Sequence, residues 1–130
     1  MRTRLALPVT IVAAFLLLAA SAPAGTATAP DGVILHFTDQ GHGSPALVFV
    51  HGWSCDATYW DAQVAHFAAK HRVVAIDLAG HGASGQERKA YTMEAFGADV
   101  ATVLAQLDLK DAVLVGHSMG GAVIVEAALA

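Results

Sequence analysis

Three short apolar runs, each followed by a loop and a helical pattern, constrain the fold of this chain more than any other feature. They are A-L-V-F-V at 46–50, R-V-V-A-I at 72–76 and A-V-L-V at 112–115. Continuous apolar runs of this length are typical of strands buried on both faces of a sheet. Apolar residues at three- and four-residue spacing over 58–70 and 92–107 predict helices between them. This alternation predicts an α/β fold with a mostly parallel sheet and flanking helices.

The amino-terminal residues have the pattern of a secretory signal peptide. Arg2 and Arg4 precede a sixteen-residue apolar run, and A-P-A at 22–24 follows as a small-x-small cleavage site, so residues 1–24 are predicted to be removed on export. An uncleaved membrane anchor is the alternative, but the run is shorter than the ~20 residues that span a bilayer. A secreted or periplasmic location is expected, with no stable membrane span in the mature form.

One domain is predicted over residues 32–130, after a flexible leader at 25–31 (G-T-A-T-A-P-D). The alternating pattern at 32–38 predicts its first strand. The turn-forming residues D-Q-G-H-G-S-P at 39–45 indicate a hairpin loop.

Charge and composition exclude several kinds of partner. Without residues 1–24, five Lys and Arg side chains remain against eleven Asp and Glu, a net charge of about −6. An acidic chain without a basic stripe argues against nucleic acid as a partner. Neither a metal-ligand spacing such as H-E-x-x-H nor a dinucleotide fingerprint occurs, so no metal and no cofactor are expected. Cys55, the single cysteine, is expected to be a small buried apolar residue.

The third apolar run leads directly into G-H-S-M-G, which places Ser118 between Gly116 and Gly120. A serine hydroxyl is a poor nucleophile at neutral pH and must be presented and deprotonated. A sharp strand-to-helix turn presents it, and glycines two residues before and after let strand and helix pass closely. A chance G-x-S-x-G is the alternative, but the strand before and the alanine-rich helix after supply the required context. Ser118 is therefore predicted to be a nucleophile.

Three blocks, V-F-V-H-G-W, D-L-A-G-H-G-A-S-G and V-G-H-S-M-G-G-A, stand in the order and at the separations typical of the α/β-hydrolase fold superfamily. Residues 33–130 resemble the N-terminal part of that fold, in its serine-nucleophile branch. The resemblance implies an oxyanion hole formed by the backbone N–H groups of Trp53 and Met119. It also implies that the D-x-x-G-x-G-x-S turn at 77–84 is scaffolding. Supporting positions around the nucleophile are His51, Gly52, Gly116, His117 and Gly120.

The same resemblance places the acid and the histidine of the triad after the nucleophile. After Ser118 the chain has one acid, Glu126, and no histidine. Glu126 would lie ~12 Å along the next helix, too far to serve. For His51 and His81, oxyanion-loop support and turn packing are favoured over a role as base. We therefore expect an N-terminal fragment that lacks the C-terminal half of the fold, is inactive by itself, and leaves the run at 112–115 as an exposed edge.

The function predicted for the complete protein is an exported serine hydrolase acting by acyl transfer on a small carbonyl substrate, with an ester as the default. Esterase, lipase, peptidase, carbon–carbon bond hydrolase and perhydrolase chemistry all remain open. An acyltransferase using the same serine is one alternative. A non-catalytic binding or regulatory module that keeps half of a hydrolase fold is another. The sequence indicates neither the substrate nor the oligomeric state.

Overall fold

A computed structural model of the protein describes residues 23–130. The strands are β1 (Ala24–Thr28), β2 (Ile34–Gln40), β3 (Ala46–Val50), β4 (Val73–Asp77) and β5 (Ala112–Gly116). A 3-10 turn (Ala57–Trp60) leads into α1 (Asp61–Phe67), and the longer helices are α2 (Met93–Gln106) and α3 (Met119–Leu129). The predicted signal peptide lies outside the described residues except for its last two positions.

The five strands form one mixed sheet in the order β1-β2-β4-β3-β5. β3 pairs in parallel with β4 and with β5, whereas β2 pairs antiparallel with β4 and with β1. The predicted α/β class is confirmed, with parallel pairing confined to the three apolar strands. Between residues 23 and 130, no helix is long and apolar enough to cross a membrane.

The amino-terminal side of the sheet differs from the sequence prediction in two respects. Most of the predicted flexible leader forms the edge strand β1. It pairs with the free side of β2, so the backbone N–H and C=O groups of β2 find partners, and Ala27 and Ala29 are buried in the core. The 39–45 loop is not a hairpin loop, because β4 lies between β2 and β3. The partly polar β2 lies next to the edge strand β1, and the fully buried β4 lies between β2 and β3.

Apolar side chains cover both faces of the sheet. Along β3, Val48 and Val50 face the larger cluster under α2 and α3, whereas Phe49 faces the smaller cluster under α1. The prediction of a helix at 92–107 is confirmed, with Thr92 accepting a hydrogen bond from Ala95 N–H as its cap. The larger cluster is centred on Leu35, Val74, Ile76, Phe96, Val100, Val103 and Val123.

The outer side of β5 has no strand beside it among residues 23–130. Val113 is 46% exposed there, and Leu114 and Val115 are half-buried. This arrangement agrees with the expected apolar edge.

Candidate active site

The loops that follow the three parallel strands meet at one edge of the sheet. Since β3 lies between β4 and β5, its loop at 51–56 lies between the 78–85 turn and the strand-to-helix turn at 117–118. In open α/β sheets this edge, at the carboxyl ends of the strands, is where ligands bind. The candidate catalytic residues Trp53, Ser118 and Met119 all lie at this edge.

Ser118 occupies a strained backbone conformation between β5 and α3. Its φ is 54° and its ψ is −118°, a combination that non-glycine residues rarely adopt. Such strain of about 1–3 kcal/mol persists only where the surroundings impose it. The side chain is exposed and makes no capping hydrogen bond to α3, so the hydroxyl is available to a substrate.

Close packing around the turn explains the glycines on either side of Ser118. A Cβ on Gly116 would overlap the backbone of Gly120, and a Cβ on Gly120 would overlap the carbonyl oxygen of Val50. A Cβ on Gly121 would meet nothing within 4 Å. The first two glycines are therefore required for the crossing of α3 over β3 and β5, and the third is not.

Gly120→Ala and Gly121→Ala are expected to change stability in opposite directions. The methyl group of Gly120→Ala must displace backbone, which should lower the free energy of unfolding by about 1–3 kcal/mol. In Gly121→Ala the methyl group enters open space on a helix, which should raise stability by up to about 1 kcal/mol. Denaturant unfolding of both variants measures this, and equal effects would contradict the packing account.

The loop after β3 lies directly against the serine. A Cβ on Gly52 would come within 3.3 Å of the Cβ of Ser118 and 3.2 Å of the His117 carbonyl oxygen. Trp53 follows Gly52 with its side chain 63% exposed. Met119 is the first residue of α3, where N–H groups have no intrahelical acceptor. The two backbone N–H groups assigned to an oxyanion hole thus belong to segments that border Ser118.

His51 ties this loop to the turn after β4. Its ring is 1% exposed, its Nε2 accepts a hydrogen bond from Leu78 N–H at 3.1 Å, and its Nδ1 lies 2.8 Å from the Gly52 carbonyl oxygen. Since a backbone N–H must donate, Nε2 carries no proton and Nδ1–H donates to Gly52. Both nitrogens are bonded to backbone groups, so neither is free to act as a base in this structure, and the support role of His51 stays a prediction.

Burial lowers the pKa of His51 below its usual 6.5, and the nearby His81 lowers it further. The Gly52 carbonyl and the more distant Asp77 and Asp56 raise this pKa but do not outweigh burial. As pH falls below about 6.5, His51 therefore binds a proton less readily in the folded chain than in the unfolded chain. The free energy of unfolding then decreases with falling pH, by at most about 1.4 kcal/mol per pH unit from this residue. His51→Gln should reduce that slope between pH 7.5 and 5, measured by denaturant unfolding. His66→Gln, at an exposed position, is the control for the loss of a histidine as such.

The turn at 77–84 has the scaffolding role expected of it. Asp77 accepts hydrogen bonds from Ala83 N–H at 2.9 Å and from Ala57 N–H at 2.7 Å. A Cβ on Gly82, whose φ is 53°, would overlap the Asp77 carboxylate. The Ser84 hydroxyl donates to the Asp77 carbonyl at 2.6 Å. This one carboxylate joins the turn to the 3-10 helix that follows the loop after β3.

Sequence reasoning missed a buried ion cluster behind the turn. The Arg88 guanidinium donates to both carboxylate oxygens of Asp99, at 2.8 and 2.6 Å, and to Asp31 at 2.7 and 3.1 Å. The Arg88 and Asp99 side chains are 3% and 0% exposed. The neighbouring Asp31 has its pKa lowered by Arg88. The missed signal is the position of Asp99 on the apolar stripe of α2, three residues after Phe96.

Two cavities flank the loop after β3. One, of about 200 Å³, is lined by His51, Tyr59, Trp60, Gln63 and His117. The other, of about 300 Å³, lies between this loop and the turn after β4.

Cys55 is half-buried, not fully buried as expected. Over residues 23–130, no cluster of three His, Cys, Asp or Glu side chains could hold a metal ion.

Comparison with known proteins places the chain among hydrolases. A family model described as "Alpha/beta hydrolase family" matches residues 47–130. A non-heme haloperoxidase of Rhodococcus erythropolis is 42% identical over 95 residues, which are 72% of this chain and 34% of the relative. A bifunctional esterase/perhydrolase of Acinetobacter calcoaceticus is 41% identical over 99 residues, 75% of this chain and 36% of the relative. The chain therefore spans about a third of the length of the curated relatives it matches.

Solved structures show the same likeness. An esterase from a Rhodococcus species superposes with a TM-score of 0.73 and 36% identity, over 79% of this chain and 39% of that chain. The enol-lactonase from Burkholderia xenovorans superposes with a TM-score of 0.71 and 30% identity, over 76% of this chain and 39% of that chain.

Proposed function

The chain belongs to the alpha/beta hydrolase family, and from that premise we propose that the whole protein is an exported serine hydrolase that cleaves a small ester with Ser118 as nucleophile. The observation that carries the proposal is the strained φ of 54° at Ser118, which keeps an exposed hydroxyl at the junction of β5 and α3. Similar proteins described as esterases support the choice of an ester.

The proposed reaction is acyl transfer through an acyl-enzyme. Ser118 Oγ attacks the ester carbonyl carbon, and its proton passes to a histidine. The negative charge that develops on the carbonyl oxygen is stabilised by the N–H groups of Trp53 and Met119. The alcohol leaves with the proton from the histidine, and a water molecule then attacks the acyl-enzyme and releases the acid and Ser118.

The triad acid and histidine are proposed to lie beyond Ala130 in the whole protein. Both ring nitrogens of His51 are occupied by backbone groups. Glu126 packs against Gly97 in the contact between α3 and α2, well along the helix from Ser118. The chain's coverage of about a third of its relatives is consistent with this placement.

The intact mass of the protein from its natural source tests that placement. We expect roughly twice the 13.4 kDa of this chain, because the 95 matched residues are 34% of the relative. A mass equal to that of residues 25–130 would contradict it and favour the non-catalytic module.

Labelling with an organophosphonate probe tests the nucleophile itself. The whole protein should react, and peptide mapping should find the adduct on Ser118, because only an activated serine displaces the leaving group of the probe at an appreciable rate. An adduct on another residue, or no adduct in folded protein, would overturn the proposal.

A perhydrolase is the second candidate, since one relative is described as a bifunctional esterase/perhydrolase. In that reaction hydrogen peroxide replaces water in attacking the acyl-enzyme, and the product is a peracid in place of the acid. Peracid formation from an ester and hydrogen peroxide, dependent on Ser118, would establish it. Acid as the sole product in the presence of peroxide would exclude it.

A further inference from the structure

The proposed oxyanion donor, Trp53 N–H, belongs to the peptide unit that begins with the Gly52 carbonyl. A trans peptide is planar and its N–H points away from its C=O, so the groups that hold the carbonyl also direct the N–H. The Gly52 carbonyl oxygen accepts hydrogen bonds from His51 Nδ1–H at 2.8 Å and from Cys55 N–H at 3.2 Å. A Cβ on Gly52 would lie 3.3 Å from the Cβ of Ser118, so this peptide unit borders the proposed nucleophile.

The loop around this peptide unit has little rigidity of its own. Gly52 is free to adopt many backbone conformations and has no side chain that a neighbouring element could hold. Ser54 has a φ of 57°, in the left-handed region that persists in a non-glycine residue only where the surroundings impose it. The Trp53 side chain is 63% exposed. The direction of the Trp53 N–H therefore depends on side chains outside residues 52–54.

His81, in the turn after β4, contacts both residues that flank Gly52. Its ring centroid lies 5.0 Å from that of His51 and 5.4 Å from that of Trp53, with interplanar angles of 53° and 79°. Both separations lie within the range of roughly 4.5–7 Å that favourable aromatic pairs adopt. His81 thus supports both the ring that donates to the Gly52 carbonyl and the side chain of the donor residue itself.

His81 is itself attached to the body of the fold. Its Nδ1 lies 3.0 Å from the Ala79 carbonyl oxygen, which can only accept, so Nδ1–H donates. Its ring also packs against Phe96 of α2, with centroids 6.0 Å apart, and Phe96 is fully buried in the larger core cluster. The imidazole is therefore a fixed support for the loop after β3.

We propose that His81 is a positioning residue for the proposed ester hydrolysis: its ring holds the His51 ring and the Trp53 side chain so that the Trp53 N–H is directed at the developing oxyanion. It acts through these two neighbours. A fixed donor stabilises the charge that develops in the transition state more than it stabilises the bound ester. This inference rests on the proposed function, and the experiments below separate the two.

Steady-state kinetics of the whole protein with methyl acetate test the role of His81. His81→Ala should lower kcat by roughly tenfold, less than the loss of about 10²–10³-fold that follows removal of a whole oxyanion donor, and should leave KM within about twofold. Acylation and deacylation both pass through an oxyanion, so kcat should fall whichever step limits the rate. In folded protein, a loss of kcat below about threefold, or a change confined to KM, would overturn the proposal.

Further variants identify the feature of His81 that matters. His81→Phe keeps a ring but loses the bond to Ala79, and should keep kcat within about threefold. His81→Asn keeps a donor without a ring and should lose kcat as His81→Ala does; the reverse order would refute a role for the ring. His66→Ala is the matched control and should keep kcat, because His66 also packs edge-on against an aromatic ring, that of Phe67 at 4.8 Å, but at the end of α1.

The mobility of the backbone amide at position 53, measured by ¹⁵N relaxation of the whole protein without ester, distinguishes failure of this inference from failure of the proposed function. The order parameter should be about 0.85 in the unaltered protein and in His66→Ala, and should fall to about 0.6 or below in His81→Ala. Trp53→Ala removes an exposed side chain and should lower it too, which provides the test if His81→Ala does not fold. Lowered order in a protein that hydrolyses no ester would leave His81 as the support of the loop and remove the hydrolase. Hydrolysis with equal order in all variants would remove the role of His81 alone.

Discussion

Ser118→Ala should lower kcat/KM of the whole protein for a small ester by roughly 10⁴-fold or more, the largest effect we expect from any single substitution. In the proposed mechanism, the hydroxyl at the turn between β5 and α3 is the only group of Ser118 that reacts. Removing it leaves the oxyanion donors and binding alone, which in serine hydrolases retain a small fraction of the rate. Initial rates with an ester, on protein shown to be folded by circular dichroism, measure this.

The control for this substitution is Ser44→Ala. Ser44 is exposed and precedes β3, at the end of the sheet opposite to Ser118. The Ser44→Ala variant should hydrolyse the ester at the rate of the unaltered protein. If Ser118→Ala kept more than a tenth of that rate, another group would have to be the nucleophile.

Arg88→Met should lower the free energy of unfolding by about 3–5 kcal/mol, the largest stability effect we expect. The substitution leaves the Asp99 carboxylate, which is 0% exposed, without its cation. Removing one partner of a buried pair leaves an uncompensated charge in a medium that solvates it poorly. Denaturant unfolding of the folded variant gives the value.

The pH dependence of Arg88→Met follows from Asp99. Burial raises the pKa of Asp99, and Arg88 opposes that shift. Without Arg88 the folded carboxyl should hold its proton more tightly than the unfolded one, so the folded state binds more protons. The deficit of the variant should therefore grow as pH rises and shrink as pH falls.

Lys110→Met and a double variant complete this test. The ion pair of Lys110 with Asp108 is 82% and 81% exposed, so its loss should change stability by less than about 1 kcal/mol. Adding Asp99→Leu to Arg88→Met removes the stranded charge and should recover part of the loss. If Arg88→Met and Lys110→Met had equal effects, the buried cluster would not stabilise the fold.

Local pattern was sufficient for most of the fold. The apolar runs at 46–50 and 112–115 begin at the observed first residues of β3 and β5, because short continuous apolar runs are typical of the strands of a parallel sheet. Thr92 was identified as the cap of α2 because capping depends on neighbouring residues only. The predicted helix at 58–70 is longer than α1, because the residues before Asp61 form a 3-10 turn, and the Ala57 N–H of that turn donates to Asp77 of β4.

The pairing partners at the sheet's outer side could not be read from local pattern. Residues 25–28 carry no strong strand signal, and they form β1 because β2 offers an unpaired edge. The position of β4 between β2 and β3 is likewise a choice between strands distant in the sequence. Both the pairing of β1 and the position of β4 depend on which strands have backbone N–H and C=O groups left to pair when the sheet forms.

For the site, the sequence by itself determined the three segments at the carboxyl edge and the candidate nucleophile, because the G-x-S-x-G turn and the H-G-W loop each carry their backbone requirements in adjacent residues. Only the tertiary structure decided which groups meet: the two backbone bonds of His51, the Arg88–Asp99 pair, and the cavity between the loop after β3 and the turn after β4. Each joins residues from different elements, and such contacts form only when packing brings those elements together.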